Sequence, residues 1–191
     1  MVNRYNSTMP RFLSGMIIIN FALAGNILIN GNFEDSLKGW NPYAQGETYT
    51  INLDTWYDQD PDTEVYIGRL DKLITAVYQT CNTPVLDLDF IFSARLVARS
   101  LDSLHPHPAV ASIILSYLNI DEEVLGETRI FNYAESLYWF PSPKLHLIEI
   151  SDTNWFSDTI NIIDELQNLP GIEPLDVKKI RIILYGISYG C

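Results

Sequence analysis

Basic residues, cysteines and histidines are all scarce in this chain, and no apolar run is long. Only 12 of its 191 residues are Lys or Arg, against 24 Asp or Glu, so the formal net charge is -12. Such a balance repels phosphate backbones and anionic lipid surfaces, which excludes nucleic acid as an expected partner. Lys178, Lys179 and Arg181 are too sparse to make a positive stripe and read as a solvated strand face. From residue 26 onward no run reaches the roughly 18 to 20 apolar residues of a membrane helix, so no span is expected in the folded body. The two cysteines, Cys81 and Cys191, fit neither a zinc site nor a CxxC redox motif. They read either as inert thiols or as a disulfide, within the chain or between subunits, which requires an oxidising location.

Catalytic motifs are missing as well. The chain holds no GxSxG elbow, P-loop, HExxH or GxGxxG. His105 and His107 sit in "HPHP", a proline-stiffened loop with no carboxylate or cysteine at ligand spacing, and His146 lies in a strand between Leu145 and Leu147. Paired carboxylates are plentiful, as any acidic chain has by chance, whereas a glycosidase needs two converging in a cleft. A non-catalytic protein with no required cofactor is the expectation.

What is present favours one folded domain. Apolar residues make up 47% and charged residues 19%, enough buried surface to offset the ordering entropy of the chain. No repeat and no Ser/Pro/Gly-rich linker divides it, so residues 26–191 read as one domain preceded by an apolar segment, 1–25. That segment combines two arginines in "MVNRYNSTMPR", the run "FLSGMIIINF" and the small pair Ala22 and Ala24, which imitates a secretory signal. Asn20 interrupts the run and Pro10 precedes it, which suits a retained strand or arm. Both readings stay open.

From Ile27 onward the dominant period is two. In "LDLDFIFSARLVA", Leu86, Leu88, Phe90, Phe92, Ala94, Leu96 and Ala98 share one face, and Asp87, Asp89, Ser93 and Arg95 the other. In "AVASIILSYLN", Ala109, Ala111, Ile113, Leu115 and Tyr117 point inward, while Val110, Ile114 and Leu118 make the second face apolar too, so something is expected to cover it. Further strands read over 47–53, 64–68, 73–80, 124–131, 145–150 and 177–187, with turns at "DQDPD", "NTP", "NIDEE" and "PSP". About eight strands at this spacing predict an all-β sandwich or barrel. One helix is predicted over 158–168, from Ser157 or Asp158 as N-cap, apolar Ile160, Ile163, Leu166 and Leu169, and the Pro170-Gly171 stop.

The stretch "NILINGNFEDSLKGW" resembles the opening of carbohydrate-binding modules of the galactose-binding-like jelly-roll type: an apolar pair, Asn-Gly-x-Phe-Glu, then Gly-Trp. "EVYIGRLDKLITAVYQT" is similar to the two strands ending in Gln that follow that opening, "LDLDFIFSARL" to the next strand, and "VKKIRIILYG" to the closing one. The resemblance covers most of residues 26–191 and implies a jelly-roll β-sandwich. Physically, Gly31 and Gly39 suit turns, Phe33 a core anchor, and Trp40 the start of a strand with its ring half buried. In the family the glutamate matching Glu34 often helps ligate a structural calcium with backbone carbonyls and a late acidic residue; that partner has no clear match in "YGISYGC".

A sugar-binding face needs exposed rings beside hydroxyl-binding polar groups. Trp56 and Tyr57 in "LDTWYDQDPD", Tyr138 and Trp139 in "SLYWFPSP", and Trp155 in "SDTNWFSD" are the candidates, with packing at the ends of the sandwich as their alternative role. Two functions follow as expectations. The first is a structural subunit of an extracellular or cell-surface assembly, fibre-like, in which Met16, Ile17, Ile18, Ile19 and Phe21 pair with the sheet edge of a neighbouring copy. The second is a stand-alone carbohydrate-binding module whose partner is a polysaccharide.

Overall fold

The three-dimensional structure is a computed structural model. It describes residues 14–20, 27–54, 63–69, 72–100, 104, 106–136 and 139–189, with the backbone alone at 14–20 and 54. The fold is an all-β sandwich of two sheets. Eleven strands are described: β1 Ser14–Asn20, β2 Asn41–Ala44, β3 Tyr49–Asp54, β4 Glu64–Arg69, β5 Ile74–Asn82, β6 Asp89–Val97, β7 Ala109–Leu118, β8 Val124–Ala134, β9 Leu145–Glu149, β10 Phe156–Asn161 and β11 Lys179–Ser188. One sheet runs β10-β6-β1-β4-β3 and the other β2-β5-β11-β7-β8-β9. All pairings are antiparallel except β8 with β9.

Alternation along the strands builds the core between the sheets. Val65 and Ile67 of β4, Phe92, Ala94 and Leu96 of β6, Ile113, Leu115 and Tyr117 of β7, and Ile182 and Leu184 of β11 are buried in one cluster. Each large apolar side chain so buried contributes about 1.5–3 kcal/mol. Phe90 and Phe92 are buried while Asp89 and Ile91 between and before them are exposed, as the period of two in β6 predicts. Every residue of β7 is buried. It lies between β11 and β8, and its second face, with Val110 and Ile114, is buried as well; Tyr185 stands opposite Ser112 and Arg129 opposite Ile114 on that face.

The helix is shorter and later than the sequence predicts. Residues Phe156–Asn161 form β10 on the edge of β6, and the α-helix, α1, is only Ile162–Glu165, followed by a 3-10 turn at Leu166–Asn168. Its N-cap is Asn161 rather than Ser157 or Asp158: the Asn161 carbonyl oxygen of the side chain accepts from Ile163 N at 3.2 Å and Asp164 N at 3.3 Å. The same amide donates to Asp87 and Asp89 at 3.1 and 3.0 Å. The β6 ladder supplies partners to 156–161 that a helix there would forgo.

The "NILINGNFEDSLKGW" opening folds into a compact knot of turns at the end of the sandwich. Phe33 is fully buried and packs at 5.0 Å on Trp40, which is 4% exposed, so its ring is buried rather than half buried. The Trp40 indole N–H donates to Asn30 O at 3.1 Å. The left-handed positions are Asn30, Phe33, Ser36 and Gly39; the conformational demand expected at Gly31 falls on Asn30 instead. The Asn30 side chain meets it by accepting from Asp35 N at 2.9 Å and donating to Ser36 O at 2.7 Å.

Candidate functional site

Two features stand out above the packed core: the slot that holds β1, and an aromatic groove on the outer face of the six-stranded sheet.

β1 is a central strand. It pairs with β4 on one side, Ile17 opposite Ile67 and Ile18 opposite Tyr66, and with β6 on the other, Ile17 opposite Leu96 and Ile18 opposite Arg95. Its neighbours carry buried Val65 and Ile67, and buried Ala94 and Leu96. Without β1 the sheet would divide into β10-β6 and β4-β3, each with a newly open edge of unpaired N–H and C=O groups. Of the assembly residues expected from the sequence, Met16, Ile17, Ile18 and Ile19 lie in this strand, and Phe21 lies outside the described residues.

The groove lies across β2, β5 and β11. Tyr43, Ile74, Ala76, Tyr78, Arg181, Ile183 and Tyr185 enclose about 280 Å³. Register explains the lining: Tyr43 is opposite Ala76, Tyr78 opposite Ile183, and Ala76 opposite Tyr185, so alternate residues of three strands share the outward face. Tyr43 is exposed, and Tyr78, Arg181 and Tyr185 are half buried. Arg181 is held in place: Nε donates to Thr80 Oγ1 at 2.8 Å, Nη2 donates to Glu122 at 3.0 Å, and the guanidinium lies 5.6 Å from the Tyr78 ring centre. Lys179 Nζ also donates to Glu122 at 2.8 Å, and this hydrogen bond, ahead of the charge of Lys179 and Arg181, holds the Glu122 carboxyl below its ordinary pKa. Burial pushes the Tyr185 hydroxyl up to about 12.

Trp139 stands beside the groove. Its ring lies 4.4 Å from the Arg129 guanidinium, with Phe131 at 5.5 Å and Tyr185 at 6.4 Å. Arg129 in turn is paired with Glu127, which accepts from Ser116 Oγ at 2.9 Å. Trp155 is on the opposite side of the molecule, packed on Val97 and Tyr66 outside the five-stranded sheet. The two described aromatic candidates are therefore not brought together, and Trp56, Tyr57 and Tyr138 lie outside the described residues. The groove tyrosines 43, 78 and 185 escaped sequence reasoning because only the strand register makes them neighbours. For Tyr78 and Tyr185 the signal was the outward period-two set of β5 and β11; Tyr43, in the four-residue β2, carried none.

Glu34 is exposed, and among the described residues no group of three or more His, Cys, Asp or Glu side chains could hold a metal ion. Cys81 is buried, its Sγ 3.4 Å from Gln79 Oε1, and burial pushes its thiol up to about 11. Its candidate disulfide partner, Cys191, lies outside the described residues. The His107 backbone N–H donates to Ser100 Oγ at 3.0 Å, and His105 lies outside the described residues. His146 Nδ1 meets Glu165 Oε1 at 2.5 Å. That carboxylate is buried, accepts from Thr128 Oγ1 at 2.7 Å and from Asn168 Nδ2 at 3.1 Å, and Thr128 is 3.2 Å from the Tyr117 hydroxyl. The chain of bonds ties β7, β8 and β9 to α1.

No protein-family model matches the chain, and none of the curated proteins aligns with it significantly.

Proposed function

We propose that this chain is a non-catalytic structural subunit that self-associates through its N-terminal strand, in an assembly outside the cell or at its surface. The position of β1 carries the reading. It is the first described strand, and both of its edges are engaged. A slot of that shape accepts the same strand from a neighbouring copy with the same register, which is the geometry of strand exchange. The test is electron microscopy and sedimentation of the full chain across a concentration range, with and without excess peptide spanning β1. Regular multimers that the peptide shortens are expected. Dispersed monomers at every concentration, or multimers indifferent to the peptide, would count against it.

A second reading is favoured by the groove. Tyr43, Tyr78 and Tyr185 line the groove together with Arg181, and aromatic rings beside a guanidinium held in place suit the apolar faces and hydroxyls of a polysaccharide. This reading agrees with the resemblance of the opening to jelly-roll carbohydrate-binding modules, and it is compatible with assembly because the groove and the β1 slot are on different sheets.

A further inference from the structure

The assembly reading leaves open what keeps the chains apart, and the position of β1 bears on that. We infer that β1 in its own slot is a self-capped resting form, and that assembly is governed by competition between a chain's own β1 and that of a second copy. The inference rests on the assembly reading above. In the single chain, Met16 to Ile19 are paired on both sides, to β4 and to β6, so no vacant edge is offered there to another molecule. A strand from a second copy would form the same pairs that the chain's own strand gives up, so exchange gains no ladder. The balance then depends on local concentration.

Six residues, 21–26, separate Asn20 from Ile27. A connection of that length spans roughly 25 Å at full stretch and holds the strand near its own slot at an effective concentration on the order of millimolar. A second copy in dilute solution is outcompeted. It prevails only where copies are crowded or aligned, or when β1 has first been released. The same short connection requires that two exchanging bodies abut, because a donated strand cannot reach a distant neighbour.

The experiment uses the full chain carrying Cys191→Ser, Ile18→Cys and Tyr66→Cys, positions directly opposite across β1 and β4 and therefore within disulfide reach. Ile18→Cys with Arg95→Cys provides a second lock on the β6 side should the first fold poorly. Each is followed by sedimentation, oxidised and reduced, beside the chain without the lock. The expected result has three parts: native dilute chain stays monomeric, multimers form after unfolding and refolding at high concentration, and oxidation before that step abolishes them while reduction restores them. Immediate assembly of dilute native chain, blocked by the lock, would overturn the resting form and leave strand exchange standing. Multimers of the oxidised chain equal to those of the reduced one would overturn exchange and the resting form together. Absence of multimers in every arm would overturn the assembly reading itself.

Discussion

Gln79 holds Ile29 by both backbone groups: its Oε1 accepts from Ile29 N at 2.6 Å, and its Nε2 donates to Ile29 O at 2.8 Å. One side-chain amide thus does for Ile29 what a neighbouring strand's peptide would do, and it fastens the opening turns to β5. Removing it in Gln79→Ala leaves two half-buried backbone groups without that partner. The expected cost is about 2 kcal/mol. For a chain of this length that lowers Tm by roughly 4–8 °C. Thermal unfolding followed by circular dichroism checks it, and Gln79→Glu, which keeps the acceptor and loses the donor, should fall between.

Gly39 belongs to the same clasp. Its φ is +85°, and a Cβ there would meet Ile29 Cβ at 2.9 Å and Gln79 Nε2 at 3.3 Å. Gly39→Ala therefore combines backbone strain with a clash, and a loss of about 1–3 kcal/mol is expected in urea unfolding. An unchanged midpoint would show that the knot of turns is not built as described.

How much of this was legible in the sequence differs by element. The alternating faces of β6 required only a period of two, and the anchor role of Phe33 followed from its place in the opening motif. Trp40 marks the start of β2, whose four residues with Pro42 show no alternation of their own, and β10 is hidden because the apolar spacing of 160–169 imitates a helix. The ladder with β6 decides the latter, and a ladder is a non-local fact. The same limit applies to β1, whose apolar run was visible but whose place between β4 and β6 was not. The groove gathers Tyr43, Tyr78 and Tyr185 from three distant parts of the chain, and only register brings them together.

Glu165 should prove a structural carboxylate. Thr128→Val removes the hydroxyl between Tyr117 and Glu165 and strands a buried phenol, for a loss of about 1–3 kcal/mol. Burial, ahead of the opposing hydrogen bond from Thr128, raises the pKa of that phenol, so its ultraviolet titration should appear only when the protein unfolds in alkali. Titration of every tyrosine in the folded state would contradict the burial of Tyr117.

The Cys81 thiol has a folded-state pKa of about 11, raised by burial. The neutral form is therefore favoured in the fold, and the associated stability is present at neutral pH and lost as pH rises through that value. In Cys191→Ser protein, iodoacetamide at pH 8 should label nothing until denaturant is added, as read by mass spectrometry. Rapid labelling of native protein would show Cys81 to be accessible.

Glu122 gives the opposite sign. Its folded pKa is lowered by Lys179 and Arg181, so its contribution is present above the ordinary value of 4.5 and disappears as pH falls through the lowered one. Because Glu122 is exposed, the effect is small and screened by salt. Glu122→Gln should remove that part of the acid dependence by lowering stability slightly at neutral pH, with no change in acid where Glu122 is already protonated.

If the groove holds a polysaccharide, Tyr78→Ala and Tyr185→Ala should each weaken retention in affinity electrophoresis about tenfold, the value of one stacked ring. Thermal unfolding should move less than for Gln79→Ala. Retention unaffected by both would remove this face from consideration.

The central claim is that β1 of one copy can fill the slot of another, and mixing tests it most directly. One chain carries Ile18→Cys and a second carries Tyr66→Cys, both in the Cys191→Ser background, and they are refolded together at high concentration and oxidised. The account predicts a disulfide joining positions 18 and 66 of two different chains within the multimer fraction. Multimers that form without that link would contradict it.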